Sequence, residues 1–114
     1  MTQSEIDFFD NLAPEWDANE VRSTPERIND ILLKLSIRKG MKVLDLGTGT
    51  GVLVPYLSKL VGENGKVVGI DLSEGMLSRA KEKYGHLENV DFLKLDFEEE
   101  VIPGIYDLVL LYSV

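Results

Sequence analysis

The sequence predicts an α/β fold, in which helices alternate with strands of a parallel sheet. Four apolar runs lack polar alternation, which is typical of strands covered on both faces; they are residues 42–46, 66–70, 90–95 and 106–112. Helical periodicity separates the first three runs, and a glycine-rich turn follows the first run directly. Together these observations favour a Rossmann-like sheet.

The helix before the first strand is predicted from its start and its spacing. Thr24 and Pro25 combine an N-cap residue with a first-turn proline, a typical helix start. Apolar residues then recur at the i, i+3, i+4, i+7 spacing of an amphipathic helix: Ile28, Ile31, Leu32 and Leu35. We expect this helix to span residues 25–36.

Two more helices are expected between the strands. Residues 52–61 place apolar side chains on one side, and residues 62–65 (GENG) predict a turn. Ser73 predicts the cap of a third helix whose inward residues are Met76, Leu77, Ala80 and Tyr84. Right-handed crossovers put these helices on one face of the sheet. The link at residues 96–105 has no helical period, so we expect the other face to be nearly bare and strand four to be an open edge.

Length and composition limit the classes of function. A chain of 114 residues predicts one domain, and its net charge of -8 argues against binding to nucleic acid or anionic membranes. It has no cysteine, no apolar run near the ~20 residues of a membrane helix and no signal-peptide pattern. We therefore expect a cytoplasmic protein, and we identify no metal-ligand set.

The glycine loop raises the first functional hypothesis. Gly47, Gly49 and Gly51 follow the first strand, which carries Asp45 near its end. Glycines allow positive φ and let a ligand approach the backbone, so the loop predicts a floor for a flat or extended ligand. The alternative is a tight strand-to-helix turn that binds nothing.

The spacing of this loop bears on which ligand it would hold. The dinucleotide fingerprint is G-x-G-x-x-G, whereas this loop is G-x-G-x-G with Val52 next. Asp45 suits an amino group better than a pyrophosphate, and the Lys-Ser/Thr ending of a P-loop is missing. An NAD-dependent oxidoreductase is kept as the less favoured alternative.

Four ordered motifs resemble those of the class I S-adenosylmethionine (SAM)-dependent methyltransferases. They are VLDLGTGTG (43–51), GIDLSEGML (69–77), LKLDFEE (93–99) and YDLVLLYSV (106–114). In addition, FFDNLAPEWDAN (8–19) resembles the N-terminal segment of the ubiquinone/menaquinone-biosynthesis type. The resemblance implies four strands in the order 3-2-1-4, and one partial SAM-binding domain over residues 1–114, without the C-terminal strands of the full fold.

The resemblance implies a role for each matching residue. The methionine part of SAM would be held by Asp45 and by loop residues Gly47, Thr48, Gly49 and Gly51. Asp71 would accept hydrogen bonds from both ribose hydroxyls. The adenine would lie near Leu72, Met76, Asp96 and Phe97. Residues 1–24 would form a lid-like segment, with Trp16 and Asp17 over the cofactor.

Each role has a structural alternative. Asp71 could help to cap the following helix, and Asp96 could be an exposed turn carboxylate. The apolar contacts and Trp16 could be ordinary packing residues. His86, the single histidine, is interpreted as a contact at a helix end rather than as a base.

The implied activity is methyl transfer from SAM to a small-molecule acceptor. No catalytic base is identified. The alternative is a cofactor-binding half-domain or truncated fragment without turnover of its own, because the strands that build the family's acceptor pocket are missing. We also expect homo-oligomers, formed through strand four and the bare face.

Overall fold

The computed structural model describes residues 25–111, which form one four-stranded parallel sheet with helices. The helices are α1 (Pro25–Leu33), α2 (Val54–Val61) and α3 (Glu74–Tyr84). The strands are β1 (Lys42–Leu46), β2 (Lys66–Asp71), β3 (Val90–Lys94) and β4 (Leu108–Leu111). All three strand pairings are parallel and the order is β3-β2-β1-β4, which confirms the predicted topology.

Helix boundaries differ from the expectation by two or three residues. α1 ends at Leu33 because Lys34 and Leu35 donate to carbonyls three residues back, which tightens the last turn. α2 begins at Val54 because residues 51–53 form a turn, with Pro55 in the first helical turn. Ser73 caps α3 as predicted, with its Oγ accepting from the Met76 N–H at 3.2 Å. The predicted cap Thr24 lies outside the described residues.

The helices pack against one face of the sheet, where the main hydrophobic cluster lies. Among the described residues, nine buried ones form it: Ile28, Leu32, Val43, Leu53, Val54, Leu57, Val61, Val67 and Val90. Tyr84 of α3 packs against the same cluster, so all three helices share this face. Burial of apolar surface here is the main stabilising contribution to the fold.

The expectation that the second face is nearly bare is wrong at its centre. Leu44, Val68 and Ile70 are buried there and form a second cluster. The link after β3 has no helix, yet it lays Phe97, Ile102 and Tyr106 against this cluster. An irregular segment can cover a sheet when its apolar side chains point inward, which helical periodicity does not detect.

At the β4 edge the second face is more open. Val109 is 52% exposed and Leu111 is 70% exposed. In the part of the chain that the structure describes, β4 pairs only with β1, so its outer side has no neighbouring strand. No helix between residues 25 and 111 has the length and apolarity needed to cross a membrane.

Candidate functional site

The site lies where the carboxyl ends of the parallel strands meet, and its centre is the glycine loop at residues 47–51. Gly47, Gly49 and Gly51 have φ values of +67°, +59° and +83°, a region that L-residues with side chains rarely adopt. The Thr48 N–H donates to the Ile70 carbonyl at 2.9 Å, which ties the loop to β2. The loop is therefore a turn tied to β2, in which Gly47 is exposed, Gly49 is half-buried and the other three residues are buried.

The three glycines have different surroundings. Gly47 is exposed and Gly49 half-buried. Gly51 is buried, and a Cβ there would lie 3.0 Å from Tyr84 Cδ2 and 3.3 Å from Ala80 Cβ. Gly51 thus allows α3 to pack closely, and its predicted contact with a ligand stays a prediction.

Asp71, the last residue of β2, joins the glycine loop to the start of α3. Its Oδ2 accepts the Gly49 N–H at 2.8 Å, and its Oδ1 accepts the Ser73 N–H at 3.0 Å. The second bond agrees with the capping alternative, whereas the first is a link between two neighbouring loops. A carboxylate has about four acceptor positions, so these two bonds leave both oxygens able to accept another donor.

Asp45 lies beneath the loop, on the helix-covered face of β1, and is 2% exposed. The Thr48 hydroxyl donates to its Oδ2 at 2.8 Å. Burial raises the pKa of Asp45 to about 7; the Thr48 hydrogen bond opposes this shift, and the charge of Asp71 adds to it. Asp45 is thus a buried carboxyl that changes charge near neutral pH.

This raised pKa predicts a pH dependence of stability. The folded state holds a proton on Asp45 that the unfolded chain releases at its ordinary pKa of 3.8. Stability from this group is therefore present at low pH and is lost as pH rises from about 4 to 7. Between pH 5 and pH 8 we expect the free energy of unfolding of the wild type to fall by about 1–3 kcal/mol through this group, and Asp45→Asn should remove that fall. Urea unfolding at both pH values measures it, and parallel pH profiles for the two proteins would contradict the assignment.

Asp96 and Phe97 follow β3 and lie beside the end of β2, since the Leu95 N–H donates to the Asp71 carbonyl at 3.2 Å. Asp96 Oδ1 accepts the Glu98 N–H at 3.1 Å, which makes it a turn carboxylate. Phe97 packs on the second cluster and is half-buried. These contacts support the structural alternatives, and contacts with adenine stay predictions.

The remaining predicted residues have unequal access to the site. Leu72 is half-buried at the end of β2, whereas Met76 is 3% exposed and presents little surface to a ligand. Trp16 and Asp17 lie outside the described residues. Among the described side chains, no group of three or more His, Asp or Glu is placed to hold a metal ion.

The comparison with protein families decides the affiliation. A family model described as a methyltransferase domain matches residues 37–114. The chain belongs to this methyltransferase domain family. The match confirms the resemblance to class I methyltransferases that the four motifs predict.

Relatives of this methyltransferase domain include curated proteins and solved structures. A demethylmenaquinone methyltransferase of Staphylococcus aureus (strain MRSA252) is 46% identical over 100 residues, which cover 80% of this chain and 42% of the relative. A SAM-dependent methyltransferase from Aquifex aeolicus aligns with a TM-score of 0.68 and 34% identity, over 97% of this chain and 56% of that structure. A protein-L-isoaspartate O-methyltransferase gives a TM-score of 0.65 and 32% identity, over 76% of this chain and 28% of its own. The domain thus spans about two-fifths of the length of the curated relatives it matches.

Sequence reasoning missed one residue of the candidate site, Gly69 in the middle of β2. A Cβ there would lie 2.9 Å from the Thr48 Oγ1, so this glycine leaves the room that the loop needs. A signal was present, because a glycine inside an apolar strand often marks the close approach of another chain segment.

Proposed function

We propose that this chain is the SAM-binding part of a methyltransferase that acts on a small molecule. The observation that carries the proposal is the hydrogen bond from the Gly49 N–H to Asp71. It brings a positive-φ backbone loop and a carboxylate together at the carboxyl ends of the strands. Membership of the methyltransferase domain family supports SAM as the ligand, and the Aquifex aeolicus relative is described as SAM-dependent.

The chemistry of the residues fits the two ends of SAM. The exposed and half-buried backbone of Gly47 and Gly49 would accept the extended methionine part. Asp71 has acceptor capacity on both oxygens beyond its two backbone bonds, which suits the vicinal hydroxyls of a ribose. Leu72, Asp96 and Phe97 would lie on the adenine side, as would Met76, although Met76 is only 3% exposed. We place Asp45 beneath the loop rather than against SAM, because its burial limits direct contact with a ligand.

Catalysis by such a site depends mainly on alignment. When bound, SAM supplies a methyl group on a sulfonium, which a nucleophilic atom of the acceptor displaces. The protein's share is to hold the cofactor in one orientation, which converts an encounter in solution into a positioned reaction. We assign no base among the described residues, since a base is needed only when the acceptor must lose a proton.

The acceptor is proposed only by class. The net charge of -8 disfavours nucleic acid and favours a small molecule. The names of two relatives specify different acceptors, demethylmenaquinone and L-isoaspartate, although their alignments cover 80% and 76% of this chain. The cofactor half therefore does not determine the acceptor.

Calorimetric titration with SAM and, separately, with NAD tests the proposal. Binding of SAM without binding of NAD would support it. Binding of NAD alone would favour the oxidoreductase alternative, and binding of neither ligand would overturn the assignment of the site. Binding of SAM without methyl transfer to any quinone or amine tested would favour the half-domain alternative.

We also propose that the chain self-associates through the β4 edge, which exposes Val109 and Leu111. Light scattering at micromolar concentration should give at least twice the monomer mass of 12.8 kDa. Val109→Glu should shift the protein toward the monomer, whereas Val101→Glu, in an exposed loop residue, should not. A monomeric wild-type protein would refute this arrangement.

A further inference from the structure

Gly69 and Thr48 fit together at the centre of the site. Gly69 pairs with Asp45 across the β1–β2 ladder, so it lies on the helix-covered face of the sheet. A Cβ at Gly69 would lie 2.9 Å from Thr48 Oγ1 and 3.1 Å from Thr48 Cβ. The first distance is shorter than side-chain carbons tolerate, so Thr48 can occupy its position only because residue 69 is glycine.

Thr48 is 4% exposed and makes hydrogen bonds to β1, to β2 and within its own loop. Its hydroxyl donates to Asp45 in β1 at 2.8 Å, and its N–H donates to Ile70 in β2 at 2.9 Å. Its carbonyl accepts the Gly51 N–H, also at 2.9 Å. The next residue, Gly49, is the one that donates to Asp71. Thr48 is thus the anchor of the loop and not part of its exposed surface.

We propose that Thr48, seated over Gly69, is a positioning residue that fixes the glycine loop and holds the Asp45 carboxylate, without touching SAM. The proposal rests on the proposed function and assigns Thr48 a different role from the direct contact that the motif predicts. It also assigns a role to Gly69.

A pH profile separates this role from simple packing. Without the Thr48 hydroxyl, the pKa of Asp45 should rise further, because the hydrogen bond that favours its charged form is lost. The other charged group that acts on Asp45 is Asp71, from β2, and it acts in the same raising direction. The sulfonium of SAM is positively charged, so a charged Asp45 beneath the loop favours its binding without touching it. Loss of the hydroxyl should therefore move the pH dependence of SAM affinity upward.

The experiment measures SAM dissociation constants of the 114-residue chain between pH 5 and pH 9. Thr48→Val should weaken binding about tenfold at pH 7 and shift the profile up by about one pH unit, as expected for a lost hydrogen bond to a charged group. Thr48→Ser, which keeps the hydroxyl, should stay within about threefold of wild type. Ser78→Ala, which removes an exposed hydroxyl from α3, is the matched control and should not change either quantity.

A double-mutant cycle tests the contact between Thr48 and Gly69. Gly69→Ala alone should weaken SAM binding about tenfold or more, because Thr48 must move. The new Cβ would also lie 3.0 Å from Phe92 Cδ1, and this contact stays the same in both backgrounds of the cycle. In the Thr48→Ala background, where Oγ1 is absent, the same change should cost clearly less. Additive effects would overturn the link between the two residues.

The outcomes distinguish the two proposals. If the wild-type chain does not bind SAM, both are overturned. If the wild-type chain binds SAM and Thr48→Val has the same affinity and pH profile, only the positioning role of Thr48 is overturned. If circular dichroism shows that Thr48→Val does not fold, SAM affinity is measured against pH with Thr48→Ala instead, which adds no bulk.

Discussion

Asp71→Ala is expected to raise the SAM dissociation constant about 100-fold or more, since hydrogen bonds to a charged group contribute about 1.5–3 kcal/mol each. The change removes the proposed acceptor of the ribose hydroxyls. It also removes the acceptor of the Gly49 and Ser73 N–H groups, at 2.8 and 3.0 Å, so the two loops lose their link. Calorimetric titration measures the affinity.

Two further variants serve as comparisons. Asp71→Asn keeps one acceptor oxygen and should lose less affinity than the alanine variant. Asp91→Ala removes an exposed carboxylate from the start of β3, where it forms an ion pair with Lys66 at 2.7 Å. Such surface pairs contribute about 0–1 kcal/mol, so this control should bind SAM like the wild type. An Asp71→Ala variant within about threefold of the wild-type affinity would contradict the ribose assignment.

The strands and helices were predictable from the sequence because they depend on short-range patterns, whereas the strand order came from the family resemblance. Apolar runs without alternation mark buried parallel strands, and the Ser73 cap marks the start of α3. The glycine loop was predictable for the same reason, since its three alternating glycines are visible in the sequence and all have positive φ in the structure.

The interior of the site was less predictable because it depends on contacts between distant segments. The bond from Thr48 to buried Asp45 requires the glycine at position 69, which lies 21 positions further along the chain. The cover of the second face has the same origin, since Ile102 and Tyr106 reach the sheet from an irregular link. Neither arrangement follows a helical or strand period.

Gly65→Ala is expected to destabilise the fold more than any other single change considered, although Gly65 is far from the site. Gly65 ends the turn between α2 and β2, and a Cβ there would lie 2.5 Å from the Val61 carbonyl oxygen and 2.8 Å from that of Met41. Neither oxygen can move freely. The Val61 carbonyl accepts the Gly40 N–H at 2.8 Å, and the Met41 carbonyl accepts the Lys66 N–H at 3.0 Å.

Relief of this clash must therefore disturb bonds that hold the start of β1 to the end of α2 and to the start of β2. We expect a loss of about 3 kcal/mol or more in the free energy of unfolding, and a fall in Tm of more than about 10 °C. Asn64→Ala, in the exposed neighbouring residue of the same turn, should stay within about 0.5 kcal/mol. Chemical denaturation measures both variants. A loss below about 1 kcal/mol for Gly65→Ala would mean that the turn can shift, and that the α2–β2 junction is less tightly fixed than its hydrogen bonds indicate.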